Sequence, residues 1–270
     1  MPRRTHWRAT TGREATAQRA AFSALTGLGL LLVLVSPAFA QPPDGGYRVF
    51  RPDGAGPHPA VAFVSGCSGF APVGARNAYV RVAEKLKGQG YIVLFVDYLG
   101  RRGLQSCGRG SVTEADAAKD LATAVTWLRS QPWVDGARVA AMGWSYGGGA
   151  VLVALGDYTQ KQLGISRAVV YYPICRAVRP WSVGTPVLIL FAGDDEVAPS
   201  SACQATIQKN ATPSAVKAVI YHGALHAFDV AELPTETRGP TGMMGYNAQA
   251  AAAAWDEIEK FLQAPVKPVP

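Results

Sequence analysis

The chain has 270 residues, of which 49% are hydrophobic, and a formal net charge of +7 at pH 7. That length and apolar share allow one large core, at a size where α/β domains are commonly single. Residues 1–40 carry Arg3, Arg4, Arg8, Arg13 and Arg19 against Glu14, whereas residues 41–270 hold 21 basic and 18 acidic side chains scattered along the chain. A charge so spread argues against the basic stripe that a nucleic-acid partner requires.

Residues 1–40 read as an export leader. An arginine-rich start leads into the apolar run Ala21 to Val35 and then into Ser36-Pro37-Ala38-Phe39-Ala40, with cleavage expected after Ala40. The apolar run is short for a membrane span and Pro37 follows it, so no membrane association is expected once the leader is removed. Arg3-Arg4 hints at a twin-arginine signal, but Thr5-His6-Trp7 match it poorly and leave the export route open. Residues 41–270 are then expected as one domain, periplasmic or secreted, where disulfides persist. Cys67, Cys107, Cys175 and Cys203 permit three pairings. Each lies beyond a predicted strand, where the loops of a parallel sheet converge, which favours Cys67 with Cys107 and Cys175 with Cys203. No C-x-x-C spacing occurs, so a structural zinc site is not expected.

Along the rest of the chain, short β-branched runs alternate with helical periodicity, the pattern of β-α-β crossovers on a parallel sheet. Strands are predicted at Tyr47 to Phe50, Ala60 to Val64, Ile92 to Val96, Val139 to Met142, Ala168 to Tyr172, Val187 to Phe191 and Ala218 to Tyr221. Helices are predicted at Asn77 to Lys87, Thr113 to Arg129, after Ser145, at Ser200 to Lys209 and at Asn247 to Leu262. Thr113-Glu114-Ala115-Asp116 supplies an N-terminal cap, and Pro132 stops the helix that follows. His58, between two prolines, reads as a turn, and Pro265 to Pro270 as a frayed tail. The expected architecture is a three-layer α/β/α domain.

The most informative stretch is Gly143-Trp144-Ser145-Tyr146-Gly147-Gly148-Gly149, which follows the strand ending at Met142 and runs into helix-forming residues. G-x-S-x-G between a strand and a helix is the nucleophile elbow of the α/β-hydrolase fold, in which glycines permit a tight turn that exposes the serine hydroxyl. Ser145 is therefore the candidate nucleophile. Ligands in such sheets sit beyond the carboxyl ends of the strands. The partners should follow in the order acid, then histidine. Gly193-Asp194-Asp195-Glu196-Val197-Ala198-Pro199 follows one predicted strand, and His222-Gly223-Ala224-Leu225-His226-Ala227-Phe228-Asp229 follows the next. Asp195, four residues before Pro199, is placed to reach back over the sheet edge; Asp194 and Glu196 read as solvated loop charges. His226 sits several residues past its strand with room to meet Ser145, whereas His222 continues the strand. The oxyanion hole is expected from the backbone N–H of Tyr146 and that of Cys67, in the loop that the fold places after its third strand. Ser65-Gly66-Cys67-Ser68-Gly69 is glycine-rich, and a disulfide from Cys67 would hold it still.

These segments together resemble the dienelactone hydrolase family over nearly all of residues 41–270. The resemblance rests on Val64 to Gly69, on Val96-Asp97-Tyr98 with Arg101-Arg102-Gly103, on Gly143 to Gly148, on Asp195 to Pro199 and on Ala224 to Asp229. His226-Ala227-Phe228-Asp229 is its most specific part. It implies a triad of Ser145, Asp195 and His226, acting without metal or organic cofactor on a small-molecule ester or lactone. The founding members carry cysteine where Ser145 stands and glutamate where Gly66 stands. This departure points away from dienelactone itself and makes the chain resemble the exported, serine-bearing branch, in which cysteines at the positions of Cys107, Cys175 and Cys203 are also familiar. Family members can bind a substrate carboxylate through an arginine in the loop of Arg101 and Arg102; a solvated pair is the other reading. Trp144, Tyr146, Tyr98 and Phe70 would shape an acyl pocket, with Trp144 alternatively packed beneath the elbow. A secreted polyester or cutinase-type hydrolase shares the elbow, the export signal and disulfides, but the stretch around His226 favours the dienelactone branch. A binding protein on the same fold that has lost catalysis is disfavoured, since all three triad residue types are present. Nothing in the chain indicates an oligomeric state.

Overall fold

The computed structural model describes residues 47–265 except residues 71, 159, 181–183 and 210–214. The expected leader, residues 1–40, and the tail beyond Pro265 lie outside the described residues. Seven strands form one sheet: β1 (Tyr47–Phe50), β2 (His58–Val64), β3 (Ile92–Val96), β4 (Val134–Trp144), β5 (Arg167–Tyr171), β6 (Val187–Ala192) and β7 (Val216–Tyr221). Their order is β1-β3-β2-β4-β5-β6-β7, with β1 antiparallel to β3 and every other pairing parallel. The chain runs outward from β2 to β3 and then returns to lay β4 on the other edge of β2. That reversal opens a crevice at the carboxyl ends of β2 and β4, where an α/β sheet binds its ligands. The loop expected after a third strand therefore follows β2 in this chain.

Strands covered on both faces read as unbroken apolar runs, and β3 and β6 are buried at every residue. Alternate side chains feed two separate layers. From β2, Ala60, Ala62 and Val64 join the layer formed with α2 (Glu114–Arg129) and α3 (Tyr146–Asp157). Val61 and Phe63 join the opposite layer, formed with α1 (Val73–Gly88) and α6 (Ala248–Gln263). The start of α2 is fixed by a capping box: the Asp116 N–H donates to Thr113 Oγ1 at 3.1 Å, and the Thr113 N–H donates to Asp116 Oδ2 at 2.9 Å. Asn247 caps α6 from outside, accepting from the Ala250 N–H at 3.0 Å, so this helix begins one residue later than predicted.

Differences from expectation have local causes. β4 begins at Val134 because its first residues pair with an extension of β2, His58 opposite Val134. His58 thus opens a strand rather than forming a turn, and its N–H donates to the Trp133 carbonyl at 3.0 Å. The helix α1 begins at Val73, behind Pro72 at its N-cap. Among the described residues, four-residue α4 (Gln160–Leu163), eight-residue α5 (Ser200–Ile207) and the two-residue strands β8 (Thr237–Arg238) and β9 (Met243–Met244) complete the elements, together with 3₁₀ turns at Gly100–Arg102 and Gly108–Gly110.

Candidate active site

The turn from β4 into α3 is possible only with glycines on its flanks. A Cβ at Gly147 would lie 2.2 Å from the Val64 carbonyl oxygen and 2.3 Å from that of Ser65, and one at Gly143 would lie 2.5 Å from the Gly147 oxygen. No side chain fits so close to other backbone atoms. Between them Ser145 takes φ 52° and ψ −116°, a strained conformation for a residue with a Cβ. The strain is held by neighbours: the Ser145 N–H donates to the Tyr171 carbonyl at 2.9 Å, and the Ser145 carbonyl accepts from Gly149 at 3.0 Å and Ile174 at 3.1 Å.

The loops after β6 and β7 meet this turn. His226 Nε2 lies 2.9 Å from Ser145 Oγ, and His226 Nδ1 lies 2.8 Å from Asp195 Oδ2. The other carboxylate oxygen of Asp195 accepts the N–H groups of Val197 and Ala198, each at 2.8 Å. Ser145, Asp195 and His226 are 8%, 7% and 4% exposed, so these contacts are made largely out of water. The neighbouring candidates do not converge. Asp194 is exposed, its backbone N–H donating to the Ala224 carbonyl; Glu196 is exposed and accepts from the Met243 N–H; His222 is exposed as well. The His226 loop is anchored from β9, since the His226 carbonyl accepts from the Gly245 N–H at 3.0 Å. Ala227, at φ 62°, makes the sharp bend that follows the histidine.

The 65–69 loop lies against the elbow, for a Cβ at Gly66 would stand 3.5 Å from Ser145 Cβ. Two phenols brace it. Tyr79 accepts from the Gly66 N–H at 3.0 Å, and Tyr98 donates to the Gly66 carbonyl at 3.0 Å. Burial pushes both phenols well above their ordinary pKa, so they remain neutral hydroxyls. Cys67 is bonded to Cys107 with a Cα–Cα distance of 4.9 Å, and its carbonyl accepts the Cys107 N–H at 2.9 Å. Cys175 is bonded to Cys203, at 5.2 Å between Cα atoms, just past Ile174. Tyr146, first residue of α3, donates its hydroxyl to the Val112 carbonyl at 2.7 Å.

Several side chains expected to line a pocket serve as walls instead. Arg101 and Arg102, for which a substrate-carboxylate receptor and a solvated pair are the two readings, both turn to Asp120 of α2, with Arg101 Nη1 at 2.8 Å from it; Arg102 also donates to the Tyr98 carbonyl at 2.6 Å. Asp120 is 4% exposed and needs cationic partners, which is why the loop folds inward upon it. Trp144 is 1% exposed, stacked on Tyr171 at 5.4 Å and edge-on to Tyr79 at 4.9 Å, beneath the elbow. Tyr98 is fully buried, and Phe70 stacks on Phe95 at 4.6 Å. Pattern reading missed Tyr79, Tyr172 and Asp229. Of these only Asp229 left a signal, as the last residue of the His-Ala-Phe-Asp stretch.

The dienelactone hydrolase family profile matches residues 46–265. Two uncharacterized proteins of Mycobacterium tuberculosis, from strains CDC 1551 / Oshkosh and H37Rv, are each 29% identical over 190 residues, covering 63% of this chain and 63% of their own length. The chain thus spans under two thirds of the curated relatives it matches. Among solved structures, a dienelactone hydrolase candidate from Klebsiella pneumoniae superposes with a TM-score of 0.64 at 19% identity, over 81% of this chain and 92% of that one. Apo esterase 2 of Thermogutta terrifontis gives 0.59 at 18%, over 83% and 91%. A dienelactone hydrolase-like promiscuous phosphotriesterase from metagenomic libraries gives 0.60 at 20%, over 81% and 98%. These structural likenesses carry the fold; the family match, over most of the chain and over every segment that builds the elbow and the loops around it, makes this chain a member of the dienelactone hydrolase family.

Proposed function

We propose that the protein is an exported serine hydrolase that cleaves a carboxylic ester or lactone through an acyl-enzyme. The observation that carries the reading is the buried line of contacts from Ser145 Oγ through the His226 ring to Asp195, at 2.9 and 2.8 Å. In this reading Asp195 holds the proton on His226 Nδ1, which leaves Nε2 free to take the Ser145 proton as the hydroxyl oxygen attacks the carbonyl carbon. The N–H groups of Cys67 and Tyr146 face the oxyanion of the tetrahedral intermediate. The intermediate collapses by expelling the alcohol, which receives the proton from His226; water attacks the acyl-serine in the same way and regenerates the enzyme. A preformed, braced loop would let those donors act without reorganisation, and the Tyr79, Tyr98 and Cys107 contacts supply that bracing.

Residues 1–40 act as a leader, 41–270 as the exported domain, and the medium is periplasmic or extracellular; the two disulfides support that compartment. Ser145→Ala is expected to abolish hydrolysis of a short nitrophenyl ester and labelling by a fluorophosphonate while leaving the melting temperature near that of the parent. Turnover at the parental rate would remove Ser145 from the mechanism.

A further inference from the structure

The mechanism above gives no task to Asp229, whose carboxylate is directed at the residues around the elbow. Asp229, three residues beyond His226, turns both carboxyl oxygens inward: Oδ1 accepts from the Tyr172 hydroxyl at 2.5 Å and Oδ2 from Trp144 Nε1 at 2.8 Å. Trp144 is the last residue of β4, directly before Ser145. Tyr172 follows the last residue of β5, and its ring lies 4.5 Å from that of His226, tilted by 58°.

Three residues other than glycine have positive φ among the described residues: Ser145 at 52°, Tyr172 at 34° and Ala227 at 62°. All three belong to this cluster. Ser145 adjoins Trp144, Tyr172 binds Asp229 directly, and Ala227 lies two residues before Asp229. Strained conformations persist where the surroundings over-determine them, and they gather at functional sites. From the turn after Ala227, the Asp229 side chain reaches both of the others, through Trp144 and Tyr172. Apolar packing alone could fill the space, yet it could not fix both the Trp144 indole and the Tyr172 phenol by direction, as two charge-assisted hydrogen bonds do.

We infer that Asp229 is a positioning residue: it clamps the ends of β4 and β5 beneath the His226 ring, and its negative charge favours the imidazolium that forms when Ser145 is deprotonated. The inference rests on the serine-hydrolase reading of the site. Asp229 is half-buried, at the inner end of a cleft between α1 and α6, where Arg81, Lys85, Tyr246 and Asp256 also line the walls. Arg81 is already held by Glu232. Tyr79, Tyr171 and Tyr172 are phenols that burial keeps neutral. Lys85 lies over the Trp255 ring, so among the described residues no cation forms an ion pair with Asp229, whose carboxylate lies within electrostatic reach of His226 and of Arg81. Burial raises its own pKa, and the Tyr172 and Trp144 donors and the nearby His226 offset that rise only in part.

Asp229→Asn tests this, because the isosteric amide can keep both contacts: its oxygen accepts from Trp144 and its NH2 donates to the Tyr172 hydroxyl. The variant loses the charge alone. Expected is a fall in kcat of about tenfold with KM within about threefold, and an acid limb of the kcat/KM profile displaced to lower pH, since the imidazolium loses a stabilising charge. Tyr172→Phe removes the clamp but keeps the charge and the ring over His226, and should lower kcat without displacing the acid limb. Rates are normalised to sites titrated by a fluorophosphonate. If Asp229→Asn retains parental kcat and acid limb, or loses kcat with the limb unmoved, the inference is overturned. If Asp229→Asn does not fold, Tyr172→Phe decides, and unchanged kcat there overturns it. Should Ser145→Ala remain active, the failure lies with the hydrolase reading itself, and the role of Asp229 falls with it.

Discussion

Replacing Asp195 by asparagine isolates what its two oxygens do. Oδ1 sits between the N–H groups of Val197 and Ala198, each at 2.8 Å, and only an acceptor can occupy that place. The amide must therefore put its oxygen there, which turns its NH2 towards His226 Nδ1, now 2.8 Å from a carboxylate oxygen. An NH2 cannot accept from Nδ1–H, so the imidazole is driven to the other tautomer, with its proton on Nε2 facing Ser145 Oγ. In that state the ring cannot take the serine proton. Trapping the wrong tautomer in such a triad costs about 10⁴-fold in kcat, on the order of 5 kcal/mol. Stability should change little, because both backbone donors keep their acceptor. Asp195→Ala, by contrast, leaves the buried Ala198 N–H and the part-buried Val197 N–H unsatisfied, the buried one at a cost of roughly 1–3 kcal/mol. The assay is kcat on a nitrophenyl ester beside a denaturant midpoint for both variants, with Asp194→Ala as the exposed control. An Asp195→Asn enzyme within tenfold of the parent, or an Asp194→Ala enzyme as impaired as Asp195→Ala, would refute the assignment.

Two further outcomes follow from the site's supports. Cys67→Ser with Cys107→Ser opens a bridge spanning 40 residues, and chain entropy puts the loss near ~4 kcal/mol. Because the bridge holds the 65–69 loop, kcat should fall more than KM rises; a variant as stable and active as the parent would show the bridge to be dispensable. For Asp229→Asn, a carboxyl whose folded pKa is raised contributes stability at low pH that is lost as pH rises through that pKa. The melting temperature of the variant relative to the parent should therefore climb as pH rises above the ordinary carboxyl range of about 4. A difference that stays flat or falls as pH rises would mean that burial is not what governs this carboxyl.

The elbow was legible because it is local. Gly143 and Gly147 are required by contacts that any strand-to-helix turn of this sharpness makes, and the flanking strand and helix carry their own periodicity. Continuous apolar runs marked the parallel strands for the same reason, since burial on both faces leaves no polar alternation. The two-residue strands β8 and β9 left no trace, being shorter than one period of any pattern, and the extended start of β4 was hidden because pairing with His58, not apolar content, makes it a strand. Chain order restricted the acid and the base to two loops but could not choose by contact within them. In the structure the Val197 and Ala198 N–H groups hold one oxygen of Asp195, the Ala227 bend follows His226, and these two candidates are the ones that meet beside Ser145.

By itself the amino-acid order determined the layered α/β architecture, and it singled out Ser145 and two loops for its candidate partners, because each depends on steric needs and periodicities within a few residues. Only the tertiary structure decided that Arg101 and Arg102 fold onto Asp120, that Trp144 lies beneath the elbow, that Tyr79 meets Gly66, and that Asp229 meets Trp144 and Tyr172. Those contacts join residues up to 85 positions apart, and the demand of a half-buried or buried carboxylate for donors or cations is met by whatever the fold brings near, which no local pattern records.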